Sequence, residues 1–466
     1  MKYHMHLIKE KFKMKKLLVA TLILGVILLA IILLKQSSEP QKQQVAQQPT
    51  PTETESEATT FPEPPPGAIV FDLKYRGLSG EKDELRYNSF WGFGSSDNQT
   101  PFLEELKKNV KDFEAVYNPY FKGAEWSAAE IKDNKVVALY IDLNADGKVS
   151  DNEKILPIQN SEYNSSDRTE FVTPNFVMNT QDNRQVKFRA LLQAAYYGQS
   201  RPQFMWSPSC VLEGTSTING QQAKLILYAN GFTGSFNDFG NSSYSLQTGN
   251  EQTGKSVSRA MLSSIIKHNG QFYNVGFYGH HGKNSAVRAI LTDYTGDTGN
   301  LTTQLTGNTN LEAKLSSATI AGTKDTNIQF NLGSEQAKLP VGSYKVSRGH
   351  VNYGNDNGDK WRLYFQDGPE FTVDADKTSN VELGKPVLTI SAVEEDKRYQ
   401  SDVKEQTVYP EGTNVYISRI IKGKGGELYG RFSQKSQNSG YTDIEPEIKI
   451  VDSEGKEVAA AKIKYG

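Results

Sequence analysis

Between Asp142 and Glu153 the chain reads DLNADGKVSDNE, and its oxygen-bearing side chains recur at the spacing that a hard cation requires. Asp142, Asn144 and Asp146 supply ligands at the first, third and fifth positions. Gly147 permits the sharp turn at the sixth, and Lys148 offers its backbone carbonyl at the seventh. Ser150 stands at the ninth and Glu153 closes the site from the twelfth. Oxygen ligands of this kind suit Ca²⁺, so these six residues form the predicted metal site. The competing reading is a hairpin turn that needs only Asp146-Gly147, with the other acids solvated around it.

The β-branched run Val136 to Ile141 enters this loop, and Pro157 follows soon after it, where it would spoil an exiting helix. Over its 12 residues the loop resembles the calcium loop of EF-hand and dockerin modules. The resemblance implies calcium binding at millimolar to submillimolar strength, as in extracellular modules. The flanks depart from the helical pattern, so the expected role is to staple two strands together.

A second copy of the pattern lies about 88 residues downstream. VVALYIDLNADGKVSDNE, from Val136, is echoed by KLILYANGFTGSFNDFG, from Lys224. Tyr140 aligns with Tyr228, and Gly147, Val149 and Asp151 align with Gly234, Phe236 and Asp238 after a one-residue deletion. The second copy has Asn230 in place of Asp142 and no closing glutamate, which leaves too few carboxylates for an ion. With the flanking phrases TEFVTPNF and VLEGTSTINGQQAKLILY, this duplication resembles uncharacterised secreted β-rich proteins of planctomycete-type bacteria over residues 67–300. That resemblance implies a surface or envelope protein and supplies no catalytic residues.

Three other groups of residues invite a chemical reading. Gly249 to Ser256, GNEQTGKS, fits the phosphate-loop pattern, in which Lys255 and Ser256 would meet a nucleotide's phosphates and Mg²⁺. The polar segment before it, GNSSYSLQT, is a poor buried parallel strand and no βαβ alternation surrounds it, so no nucleotide cofactor is expected. His280-His281 would project to opposite faces of a strand, and neither His268 nor His350 has a ligand-spaced neighbour, so a turn or a surface pair is expected. Cys210, the only cysteine, is expected to be a small buried residue, and no intrachain disulfide can form. Four tryptophans and 23 tyrosines offer either sugar-stacking platforms or core filling.

The elements that position these residues are mostly short β-branched and aromatic runs divided by Asn-Gly, Asp-Gly and Gly-Gly turns. Examples are Val136 to Ile141, Ala223 to Tyr228, Gln271 to Tyr278, Gly342 to Val346, Phe371 to Val373 and Glu447 to Val451. Helical spacing of Leu103, Leu106, Val110, Phe113 and Tyr117 predicts a helix over 101–117, with Pro101 in its first turn. A second helix is expected over 257–267. The predicted class is mainly β with minor helix.

Upstream, Lys9, Lys11, Lys13, Lys15 and Lys16 precede an apolar run from Leu17 to Leu34. That is about 18 residues, or roughly 27 Å of helix, enough to cross a hydrocarbon core. The basic flank orients the N-terminus to the cytoplasm and the body outside. An internal start at Met14 would make the same stretch resemble a signal peptide, but it lacks a small-x-small cleavage site, and an uncleaved anchor is expected. Residues 36–66, rich in Gln, Thr, Glu and Pro, read as a disordered stalk.

Length alone suggests two to four domains in the remainder; the expected division is a β-rich domain at 67–160, a second at 161–308, and two β-sandwich modules at 309–384 and 385–466. LPVGSYKVSRG and FTVDADKTSNVELGKP resemble prealbumin-like or immunoglobulin-like modules, with Tyr344 at a sandwich corner. A terminal hairpin turns at Ser453-Glu454-Gly455. A net charge of -2, from 52 Lys+Arg against 54 Asp+Glu, argues against nucleic-acid partners. The expected protein is therefore a membrane-tethered extracytoplasmic structural or interaction module, whose partner is an envelope polymer, a glycan or another protein. The alternatives are an extracytoplasmic hydrolase of envelope polymers or glycans, whose acid pair the sequence does not single out, and a carbohydrate-binding module.

Overall fold

The computed structural model describes residues 61–466, apart from 79–90, 94–99, 118–125, 160–167, 180–183, 196–202, 230, 232, 250–258, 280, 283–285, 307–311, 334–335, 355–359, 395–414, 436–440, 446, 452–453 and 463–466. The expected anchor and the stalk up to residue 60 lie outside the described residues. Among those described, no helix is long and apolar enough to cross a membrane.

The protein is mainly β, built from several sheets. Alternation makes the strands. In Ile69–Gly77, Phe71 and Leu73 are buried while Asp72 and Lys74 face water, the period-2 pattern of a strand with one face in a core. This strand lies inside an eight-stranded sheet, paired antiparallel with Cys210–Ile218 on one side and Val287–Asp293 on the other. Between Ile218 and Gln221, Asn219-Gly220 turns the chain with φ of 50° and 78°. Between His268 and Gln271, Asn269-Gly270 does so with 48° and 84°. Two successive positive φ values match the twist of hairpin strands, which is why Asn-Gly marks both turns.

The largest core joins Phe71, Leu212, Leu225 and Leu291 of this sheet to Trp206 and Phe204 of a four-stranded sheet and to Leu139 and Ile141 beside the calcium-type loop. A second core gathers Leu301, Leu315, Val351, Phe365 and Leu383 with Ile421 and Tyr429 beneath a nine-stranded sheet. There the Tyr344 hydroxyl donates to the Pro340 carbonyl at 2.9 Å, four residues upstream and buried, which ties the start of Gly342–Gly354 to the end of Ala337–Pro340.

Two helical expectations are corrected. The helix at 101 is only Pro101–Leu106, capped by Thr100, whose hydroxyl accepts the Leu103 N–H at 3.3 Å. Phe113–Tyr117 is a strand paired with Trp126–Lys132. The apolar residues of FEAVY had helical spacing relative to Leu103 and Leu106, but pairing with a neighbouring strand outweighs the modest helix propensity of Phe, Val and Tyr. Over 257–267, Val257 and Ser258 lie outside the described residues, and the rest contains the strands Ala260–Met261 and Ile265–His268. Ile265-Ile266 is β-branched and runs into the Asn269-Gly270 turn, which commits it to a hairpin.

Strand pairing also links segments far apart in sequence. Ile69–Gly77 pairs with strands beyond residue 160, Thr298–Thr306 runs parallel to Thr378–Gly384, and Lys360–Gln366 pairs with Leu428–Lys435. Local hydrophobic pattern reports which face of a strand is buried. It carries no label for a partner a hundred residues away.

Candidate metal centre

The loop 142–153 joins Lys135–Ile141 to Lys154–Ile155, which pair antiparallel through Leu139 with Ile155 and Tyr140 with Lys154. Strand pairing therefore fixes both ends. Asp142 follows the last residue of the incoming strand directly, and Glu153 ends a single 3₁₀ turn, Asp151–Glu153, that leads into the outgoing one. Ala145 and Gly147 take φ of 58° and 71°. These left-handed positions fold the chain back on itself so that alternate side chains point inward.

The result is a cluster in which one oxygen each of Asp142, Asp146 and Glu153 lies within 4.8 Å of the others. Asp142 Oδ1 accepts the Asp146 N–H at 3.1 Å and Oδ2 accepts the Gly147 N–H at 3.0 Å. Asn144 Oδ1 accepts the Asp146 N–H at 3.0 Å while its amide donates to Asp146 Oδ2 at 3.1 Å. Asp146 Oδ1 accepts the Lys148 N–H at 2.8 Å. Each carboxylate oxygen offers more than one lone pair, so these bonds orient the acids and leave acceptor capacity pointing inward.

Glu153 is the most telling member. It is 2% exposed, and its Oε2 accepts both the N–H and the hydroxyl of Ser150 at 2.9 Å. Its Oε1 is buried with no donor in reach. A buried carboxylate oxygen without a partner is costly, and a cation between Glu153 and the aspartates removes that cost. Burial likewise holds the Asp142 carboxyl above its usual range, although the backbone N–H groups of Gly147 and Asp146 pull it down. The donor set fits Ca²⁺: carboxylates and an amide, all oxygen, on a loop flexible enough for the ion's irregular shell.

The predicted ligand residues thus form two hydrogen-bonded groups, Asp142, Asn144, Asp146 and the Lys148 backbone in one and Ser150 with Glu153 in the other, which meet where the three carboxylates cluster. The spacing did not reveal what braces the unit. Val149 packs against Phe102, Leu103, Leu106, Ala138 and Tyr140 in a small core of its own, and a Cβ on Gly147 would sit 3.4 Å from Pro101 Cβ. At the base of the loop, Tyr140 donates to Glu130 Oε2 at 2.9 Å, and Lys154 lies 3.4 Å from the same oxygen. The alternation of Val149 between polar neighbours was the available signal for its partial burial.

The downstream copy is also strand, loop and strand, between Gln221–Tyr228 and Ser243–Thr248, with Tyr228 buried like Tyr140. Its described residues hold themselves together with Ser235 and Asp238 in place of an acid cluster: Ser235 N–H bonds Thr233 Oγ1 at 3.2 Å, and the Asp238 carbonyl accepts the Ser242 N–H at 2.9 Å. Among the described residues, the group at Asp142, Asp146 and Glu153 is the one of three or more acid, His or Cys ligands.

The remaining chemical candidates fall into place by position. Gly249 follows Ser243–Thr248, a strand antiparallel to both its neighbours, whereas a phosphate loop follows a parallel strand; residues 250–256 lie outside the described ones. His281 is buried, which corrects a surface position for it, while His280, the other half of the expected turn or surface pair, lies outside the described residues. Its Nε2 meets the Lys187 carbonyl at 2.8 Å, and its ring stacks on Tyr75 and meets Phe236 edge-on, so an aromatic niche outweighs the ring's polarity. Cys210 is buried, its thiol pushed up to about 12 by desolvation. Trp206 is fully buried, while Trp126 and Trp361 pack against cores.

No protein-family model, curated protein or solved structure matches this chain.

Proposed function

We propose that this protein is a membrane-tethered extracytoplasmic module whose β-rich body is stabilised by one Ca²⁺ bound at Asp142, Asn144, Asp146, Lys148, Ser150 and Glu153, and that it serves as a structural or interaction element of the cell envelope. The observation that carries the metal reading is the buried Glu153 carboxylate, whose Oε1 has no partner and one of whose oxygens lies within 4.8 Å of oxygens of Asp142 and Asp146. The tether rests on the basic segment and apolar run of residues 9–34, followed by the stalk composition of 36–66. Burial of Trp206 and the packing of Trp126 and Trp361 against cores, together with the Tyr344 tie to Pro340, support a presenting or spacing scaffold with sandwich-like parts in its C-terminal half.

In this role calcium is a staple. It neutralises three carboxylates gathered at one hairpin and ties that hairpin to the Pro101–Leu106 helix through Val149. An envelope exposed to millimolar calcium keeps such a site filled even at modest affinity.

Protease treatment of intact cells producing the full chain tests both halves of the proposal. Cleavage within 36–66 is expected with or without chelator, releasing a resistant body. Cleavage near 142–153 is expected only after calcium removal. A body shielded from external protease contradicts the topology, and a digestion pattern indifferent to chelation contradicts the calcium role.

A further inference from the structure

The calcium-type loop has an apolar foot on each face of the sheet that carries it. Phe113–Tyr117, Trp126–Lys132, Lys135–Ile141 and Lys154–Ile155 form that four-stranded sheet. One face, with Val116, Ala129, Leu139, Ile141 and Ile155, belongs to the largest core, and Leu143 of the loop packs against that core. The other face, with Ala115, Ala128, Ala138 and Tyr140, belongs to the small core on which Val149 packs. Register keeps the two sets apart: Ala115 and Tyr140 stand opposite Ala128, whereas Ala129 and Ile155 stand opposite Leu139.

The second face is shallow because of its alanines, and its filling comes from Phe102, Leu103 and Leu106 of the short helix, all buried. A helix of six residues does not hold its shape alone in water. It persists by lying on this face with Val149 beside it and with Pro101 against the loop at Gly147, where an added Cβ would stand 3.4 Å from Pro101 Cβ. A small apolar cluster beside a larger one is a unit that can open while the rest stays folded.

The acids set that opening. Asp142 and Asp146 precede Val149 and Glu153 follows it, so three carboxylates gathered within 4.8 Å bracket the residue that touches the helix. Without a cation their charges repel. Widening the loop relieves the repulsion and draws Val149 off the helix, while Leu143 stays seated on the main core. A bound cation holds the loop closed and Val149 in place.

We propose that calcium governs a local unfolding unit made of residues 100–113 and the loop 142–153. Bound calcium keeps the helix seated, and its loss uncovers Phe102, Leu103 and Leu106 without unfolding the rest of the body. The inference rests on the calcium reading above and adds the regulation of that site.

Hydrogen exchange of the full-length protein, read by mass spectrometry beside a calorimetric Ca²⁺ titration, tests it. The Lys107 and Val110 N–H groups donate to the Leu103 and Leu106 carbonyls at 3.1 and 2.9 Å, so their protection reports on the helix. Without calcium, a peptide covering 102–112 should exchange faster than one covering the central strand Ile69–Gly77. Calcium at ten times its dissociation constant should slow exchange at 102–112 about tenfold, because opening must release the ion. Val149→Ala keeps every ligand but uncouples loop from helix: calorimetry should still find the site, while the slowing falls below about twofold. Bound calcium with no slowing at 102–112 in the parent overturns the inference and leaves the calcium reading standing, whereas a blank titration overturns both. Full slowing that survives in Val149→Ala, or equal exchange at 102–112 and Ile69–Gly77 in the calcium-free parent, also overturns the inference.

Discussion

Replacing Glu427 by alanine tests whether the C-terminal part of the chain is joined as one unit. Glu427 is fully buried, and its Oε1 accepts the Gly384 N–H at 2.6 Å and the Tyr429 hydroxyl at 3.0 Å. It thereby ties the end of Thr378–Gly384 to the strand Leu428–Lys435. Glu427→Ala strands two buried donors, each worth about 1–3 kcal/mol, and opens a small cavity worth about 1 kcal/mol. Against this stands relief for Oε2, which is buried without a partner. The net expectation is a loss of about 2–4 kcal/mol, whereas Glu427→Gln keeps the acceptor and should lose less than about 1.5 kcal/mol. Urea unfolding followed by near-ultraviolet circular dichroism gives the midpoint, with an unchanged slope confirming that stability alone has moved. An alanine variant within about 0.5 kcal/mol of the parent would refute the argument that this acid joins the two segments.

Three further outcomes are expected. Burial holds the His281 pKa below its ordinary value, so the native state binds fewer protons than the unfolded chain; stability should fall as pH drops from about 7 through the native-state pKa. His281→Phe should flatten that slope while losing about 1 kcal/mol through the unpaired Lys187 carbonyl, as read from Tm at neutral and acid pH. The Cys210 thiol, buried and protonated, should resist an aromatic disulfide reagent until the protein unfolds, and prompt reaction of the native protein would contradict its placement. Leu106, 0% exposed at the end of the short helix, should cost about 2–5 kcal/mol as alanine, and Thr100→Ala about 1 kcal/mol through the lost cap; denaturant midpoints check both.

The acidic cluster was legible because its geometry is local. Twelve consecutive residues carry all of its side chains, and the left-handed turns at Ala145 and Gly147 are set by the same stretch. The strands Gln271–Tyr278 and Glu447–Val451 were equally plain from alternation and turn residues. Long-range pairing was not. Phe113 to Tyr117 continued a helical spacing, and only the presence of Trp126–Lys132 as a partner made it a strand. Likewise, Glu427 is one acid among 54 until Gly384 is seen beside it.

The central claim is that Glu153 and its neighbours hold calcium, and a calorimetric Ca²⁺ titration of the full-length protein tests it most directly, alongside the Asp142→Ala, Glu153→Ala double variant. The account predicts one saturable site per chain with a dissociation constant on the order of 10⁻⁴ M, lost in the double variant. At a hundredfold excess of calcium over that constant, the native state should gain about 2.7 kcal/mol and melt correspondingly higher. Absence of binding, or binding unchanged by the two substitutions, would contradict it.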